Sequence, residues 1–204
     1  MHGFRGYVAL LLLLALVCLA LAVASYGGCG GGTPPVSGTT TTYTNDEYGF
    51  TLTHDNQFSE GERVAGGAGV GSSVLDVIFA DKNGTVVGDR YVDAIQLSVY
   101  ELARSINPDE VPRLKAELQG VVKRLMRATA SATIVEPLRK TAVNGVPGFS
   151  FKYTYTEGGT PLTAVTSFLF KGRYEYQITA QATSKDWDAL RGKLETAVQT
   201  FTAK

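Results

Sequence analysis

The stretch VPGFSFKYTYTEGGTPLTAVTSFLFKGRYEYQITAQA, residues 146–182, decides how this chain folds. Phe149, Phe151, Tyr153 and Tyr155 alternate with Ser150, Lys152 and Thr154, the period-2 pattern of a strand with one buried face. Glu157-Gly158-Gly159-Thr160 reads as a turn, residues 162–170 run back, and Lys171-Gly172-Arg173 turns again. Tyr174, Tyr176 and Ile178 then alternate with Glu175, Gln177 and Thr179. Upstream, Thr133–Val143 reads as a strand ending at the Asn144-Gly145 turn. Short turns force neighbouring strands to be antiparallel, so these segments predict a four-stranded meander.

A helix closes the chain. Trp187, Leu190, Leu194, Val198 and Phe201 recur at spacings of three and four behind a Ser184 cap. A second helix is predicted after Asn107-Pro108-Asp109-Glu110, where Asn caps and Glu110 completes a capping box. Pro112 removes one hydrogen bond, which moves the expected start of regular helix to Pro112 itself. Val111, Leu114, Leu118, Val121, Val122 and Leu125 form its apolar stripe.

The region before it is less regular. Residues 48–53 read as a strand with Phe50 and Leu52 on one face, Asn56-Gln57-Phe58-Ser59 as a turn, and residues 61–73 as a Gly-rich loop. Residues 74–80 are nearly continuously apolar and suit a central strand in which Asp76 is discordant. Asn83-Gly84 supplies a hairpin turn, and residues 91–102 return as a strand. Two helices with about six to seven antiparallel strands make an α+β domain, a sheet covered by helices.

The N-terminus bears on location. His2 and Arg5 precede an uncharged run over residues 7–24, the layout of a secretory signal or of a membrane anchor of marginal length. Gly27, Gly28 and Cys29 behind that run resemble the lipobox of bacterial lipoproteins, although Tyr26 stands where an aliphatic residue is usual. The resemblance implies cleavage between Gly28 and Cys29, a diacylglycerol on Cys29, export, and anchoring to the outer face of the cell membrane. Residues 1–28 are then a signal peptide, 29–42 a lipidated cysteine with a flexible Gly/Thr/Pro tether, and 43–204 the folded domain.

The domain itself resembles the PsbP-like family. The residues that carry the likeness are EYGFTLTHDNQF from Glu47, the Gly145-Val146-Pro147-Gly148 turn into an aromatic strand, and the closing GRYEYQITAQAT with its Trp187 and TFTAK. The likeness implies an α/β/α sandwich. Members include an extrinsic photosystem II subunit and envelope lipoproteins, so it also implies a docking role at a membrane.

Candidate chemistry is sparse. Without residues 1–28 the chain has 18 basic and 19 acidic residues, which lacks the basic footprint of a nucleic-acid binder. Cys18 leaves with the signal, so a lipidated Cys29 leaves the domain with no thiol for a disulfide, metal or nucleophile. His54 is then the only histidine, next to an Asp55 that a strand would point to the opposite face, and it reads as a strand-end or loop histidine. Asp81-x-Asn83-x-Thr85 lacks the rest of a calcium loop, and Gly67-x-Gly69-x-Gly71 precedes a strand, where a nucleotide loop would follow one. Asn83-Gly84-Thr85 matches a glycosylation acceptor but is explained by its turn. No catalytic residue, metal ligand or cofactor is assigned. The tyrosines Tyr153, Tyr155, Tyr174 and Tyr176 are the candidates for a ligand or docking surface, because a hydroxyl favours one wet edge. Two partner classes stay open beside the membrane: other envelope proteins, or a small apolar or lipid ligand.

Overall fold

The computed structural model describes residues 40–65 and 73–204. The signal segment, Gly28 and Cys29, the tether to residue 39 and the Gly67-x-Gly69-x-Gly71 run lie outside the described residues. The first strand, β1 (Thr40–Asn45), pairs antiparallel with β2 (Phe50–Asp55). Three threonines assigned above to the tether, Thr40, Thr41 and Thr42, therefore belong to a strand. Only Tyr43 of β1 is buried, so no alternation of apolar residues marks it. Its stability comes from β-branched backbone preference and cross-strand hydroxyl contacts such as Thr42 to Thr53 at 2.8 Å.

β3 (Phe58–Ala65) and β4 (Leu75–Asp81) pair next. The expected turn shrinks to Asn56-Gln57, and residues 61–65 are strand where the glycines and charges suggested loop. A register shift between Glu60 and Arg63 absorbs Gly61, where an added Cβ would lie 3.2 Å from the Ile78 carbonyl oxygen. After β4 a small ribbon intervenes, β5 (Val86–Val87) with β6 (Arg90–Tyr91), turned at Gly88 with φ +65°. Tyr91 thus sits in the ribbon, and the long strand β7 begins at Ala94 and runs to Ile106.

The first helix starts as predicted and lengthens its irregular part. The Asn107 amide donates to the Glu110 carboxylate at 3.0 Å, closing one side of the capping box. Pro108–Leu114 is 3₁₀, and regular helix α1 (Lys115–Ala128) begins three residues after Pro112. Pro112 has no N–H to give an i−4 carbonyl, so the α pattern waits until the chain has passed it.

β8 (Thr133–Val143) and β9 (Val146–Glu157) form the predicted hairpin, with Asn144 and Gly145 at φ 47° and 80° as a primed turn requires. β10 (Thr160–Thr183) is a continuous 24-residue extended segment. Laid straight it would span about 80 Å. It instead folds back at Gly172, φ +59°. The Ser184 amide donates to the Pro161 carbonyl at 2.9 Å, and the Thr166 and Thr179 hydroxyls meet at 2.9 Å. The outer arm pairs with β9 and the inner arm with β7, so the predicted 171–173 turn is where the chain reverses. The main sheet runs β3-β4-β7-β10-β9-β8, antiparallel throughout.

Helix α2 (Trp187–Thr200) follows, and β11 (Thr202–Ala203) completes a second sheet in the order β1-β2-β11. The N-cap is Asp186, not Ser184. Ser184 bonds the Thr163 hydroxyl, while Thr183 takes the Asp186 amide into its side-chain oxygen. One face of the main sheet packs Phe149, Phe151 and Phe168 under Leu114, Leu118 and Val122. The other packs Leu97, Val99 and Ile178 against Leu194 and Val198 of α2 and Phe50 and Leu52 of the small sheet. This is the α/β/α sandwich the sequence implied.

Candidate functional site

The four candidate tyrosines do not share a surface. Tyr153 and Tyr155 lie under α1, whereas Tyr174 and Tyr176 point through the opposite face toward the small sheet. The reversal of β10 explains this: even-numbered residues of its inner arm face away from the layer that holds the aromatic side chains of β9. Two of their hydroxyls are used internally. Tyr155 donates to Gln181 at 2.9 Å, and Tyr176 donates to the Tyr48 carbonyl at 2.7 Å. Burial raises the pKa of Tyr153 and Tyr155 above the usual phenol value and pushes that of Tyr176 up to about 12. Tyr174 is half-buried, edge-on to Tyr48 at 5.7 Å. These residues are core and its margin.

Most carboxylates that look chemical in sequence are also spoken for. Asp93, 1% exposed, accepts the amides of Thr183 and Thr85, both at 2.8 Å. Asp81 accepts from the Asn83 amide at 2.9 Å and from the Gln57 side chain at 2.6 Å. Asp76, the discordant residue of β4, accepts the hydroxyls of Ser73 and Ser98. Among the described residues, no three His, Cys, Asp or Glu side chains gather where they would hold a metal ion.

An open space exists elsewhere, between the two sheets. A cleft of about 390 Å³ is lined by β1, β2, the turn after it, β3 and β4. Its floor is aromatic: Tyr43, His54, Phe58 and Phe79. Tyr43 stands edge-on to Phe79 at 5.5 Å, and the His54 ring lies 4.5 Å from that of Phe79. Thr41, Asn56, Ser59 and the exposed Glu60 are among its polar rim. Thr41, Thr42 and Tyr43 are consecutive in β1, and Phe58, Ser59 and Glu60 are consecutive in β3. Successive strand residues point to opposite faces, so a cavity touched by three in a row is reached along the strand edge. Both strands are outermost in their sheets.

His54 is 4% exposed, buried at the end of β2, not displayed in a loop. Its Nδ1–H donates to the Asp55 carbonyl at 3.1 Å. That contact requires the proton on Nδ1. Among the described residues Nε2 has no hydrogen-bond partner. The sequence carried a signal for this: Phe50, Leu52 and His54 form one alternating face, and the two apolar members declare it inward. The cleft itself is not legible in sequence, because β1 lacks apolar alternation and β3 has the composition of a loop.

No family model matches the chain, and no curated protein matches it in sequence. Solved structures do. The solution structure of cyanobacterial PsbP (CyanoP) from Synechocystis sp. PCC 6803 matches with a TM-score of 0.55 at 14% identity, covering 87% of this chain and 98% of its own. LpqN, involved in cell envelope biogenesis of Mycobacterium tuberculosis, matches at a TM-score of 0.48 and 10% identity, over 80% of this chain and 90% of its own. At such identities a likeness speaks for architecture alone, and on the CyanoP match the chain has the PsbP-like fold.

Proposed function

We propose that this protein is an exported lipoprotein, anchored by lipid on Cys29, whose PsbP-like domain is a non-enzymatic docking module for other envelope proteins. The observation that carries the reading is the order of parts along the chain. Ten residues separate Cys29 from Thr40, the first residue of β1. Ten extended residues reach roughly 35 Å, enough to hold a domain against a membrane surface without inserting it. None of the described helices is long and apolar enough to cross a membrane. The fold shared with CyanoP supports a scaffold role, and the engagement of Asp76, Asp81 and Asp93 in internal bonds supports binding over catalysis.

Replacing Cys29 with Ser and fractionating cells tests the anchor. The variant moves to the soluble fraction or accumulates uncleaved; if it is processed normally and stays on membranes, the lipoprotein reading fails. Cross-linking of the wild-type protein in intact membranes tests docking, and recovery of the protein free of any discrete cross-linked species contradicts it.

A further inference from the structure

The end of the domain that holds Thr40 also carries outward apolar side chains. We infer that this end rests on a lipid surface, with Val86, Tyr91, Ile134 and Val135 in the headgroup region. The inference deepens the lipoprotein reading, on which it rests only for an attachment on the N-terminal side of Thr40.

Strand pairing and hydrogen bonds place these parts together. Thr40 opens β1 opposite Asp55, and the turn after β2 returns the chain to Phe58, which pairs with Asp81. Gln57 donates to Asp81 at 2.6 Å across that turn. The ribbon of β5 and β6 springs from the same place, where the Val92 amide donates to the Thr85 carbonyl at 3.0 Å and Asp93 accepts the Thr85 amide. Arg90 of the ribbon pairs with Glu157, at the turn between β9 and β10. Ile134 and Val135 are the second and third residues of β8, on the half of its pairing with β9 that lies nearer Glu157. Ile134 is opposite Tyr153, whereas Val143 and Val146 close the far end beside Gly145. Gly172, opposite Ile106, also lies at the far end.

The outward side chains there run against the usual pattern. Antiparallel strands with one face on a core ordinarily turn polar residues to water on the other. In the ribbon, Val87 packs on the core beneath α1, while the outward cross-strand pair is Val86, 50% exposed, and Tyr91, 40% exposed. Ile134 and Val135 are 43% and 51% exposed. Among the described residues these four are the exposed large hydrophobics, and all lie toward the end that holds Thr40. The small sheet follows the usual pattern, turning out Thr42, Thr51, Thr53 and Thr202. Tyrosine and aliphatic side chains favour the headgroup boundary of a bilayer. The ten residues between Cys29 and Thr40 reach no more than roughly 35 Å, so an anchor at Cys29 keeps this end within reach of the bilayer. Tethering raises the effective concentration of the surface, and a few apolar contacts then suffice to orient the domain.

The test uses the ¹⁵N-labelled full-length chain, held by its N-terminus in phosphatidylcholine nanodiscs with and without a gadolinium-chelating lipid. No other protein is present, so any ordered contact is with lipid. Attenuation of the amides of Val86, Tyr91, Ile134 and Val135 is expected to exceed that of Gly145 and Gly172 at least threefold. A variant carrying Val86→Ser, Tyr91→Ser, Ile134→Ser and Val135→Ser should lose at least half of that contrast. All four side chains are exposed, so the variant is expected to fold; its thermal midpoint checks this, and the wild-type contrast decides the matter if it does not. Equal attenuation at both ends, stronger attenuation at Gly145 and Gly172, or full contrast in the folded variant would each overturn the inference. The mass of the N-terminal peptide from the same sample reports lipidation independently. A chain held in the disc by an uncleaved N-terminus still shows which end meets the lipid, so the two readings fail separately.

Discussion

Glu175 is the residue whose ionisation most directly couples to the stability of this fold. It sits on the inner arm of β10 beside Tyr100 of β7, 4% exposed, and burial pushes its pKa from 4.5 up to about 7. The folded protein therefore holds this proton more tightly than the unfolded chain does. Its carboxylate carries no penalty below about pH 4.5, and the cost grows as pH rises toward 7 and is complete above it. The loss is on the order of 3 kcal/mol. Glu175→Gln is expected to melt higher than wild type at pH 8, match it near pH 4.5, and flatten the stability profile between; chemical denaturation across that range measures this. Asp93 contributes through its hydrogen bonds, one backbone amide to each carboxylate oxygen. Asp93→Ala leaves the Thr85 and Thr183 amides without their acceptor, a loss of about 3 kcal/mol, while Asn keeps one acceptor and should lose less. Equal loss from Ala and Asn would show that the carboxylate is not the anchor it looks to be.

At the level of elements, the junction of β9 with β10 is the most constrained. Gly148 pairs with Leu169, and a Cβ added there would lie 1.9 Å from the Phe168 carbonyl oxygen. Backbone cannot yield as a side-chain tip can, so Gly148→Ala should cost at least about 2 kcal/mol in denaturant unfolding. Gly159→Ala is a control of another kind, since nothing lies near its Cβ but its φ of +82° adds turn strain. This same region was the most legible in sequence. Phe149 to Tyr155 alternate cleanly, Asn144-Gly145 can only be a primed turn, and Thr133–Val143 emerged with its observed bounds. β1 and β3 were illegible for definite reasons. β1 buries only Tyr43, and the glycine and charges of β3 hide a register shift that no local pattern encodes. The faces of Tyr174 and Tyr176 were misjudged because alternation gives the partners of a residue within its strand, but not which layer a reversed strand presents. His54 was visible as inward from Phe50 and Leu52, yet its cleft depends on two strands that sequence did not reveal.

For the whole molecule, the described residues pack into two cores, one on each face of the main sheet. Both cores are assembled from Tyr43 onward, through Phe50 and Leu52 on one side and Val111 to Phe170 on the other. The small sheet joins the beginning of the domain to its end, since β2 holds both β1 and β11. If residues 30–39 act only as a tether, a protein beginning at Thr40 unfolds within about 0.5 kcal/mol of the longer chain, and chemical denaturation of the two measures this. The central claim remains the anchor at Cys29, and mass spectrometry of the N-terminal peptide from membrane-extracted protein tests it most directly. The account predicts a peptide that begins at Cys29 and carries a thioether-linked diacylglycerol. A peptide that begins at Met1, or one containing an unmodified Cys29, would contradict it.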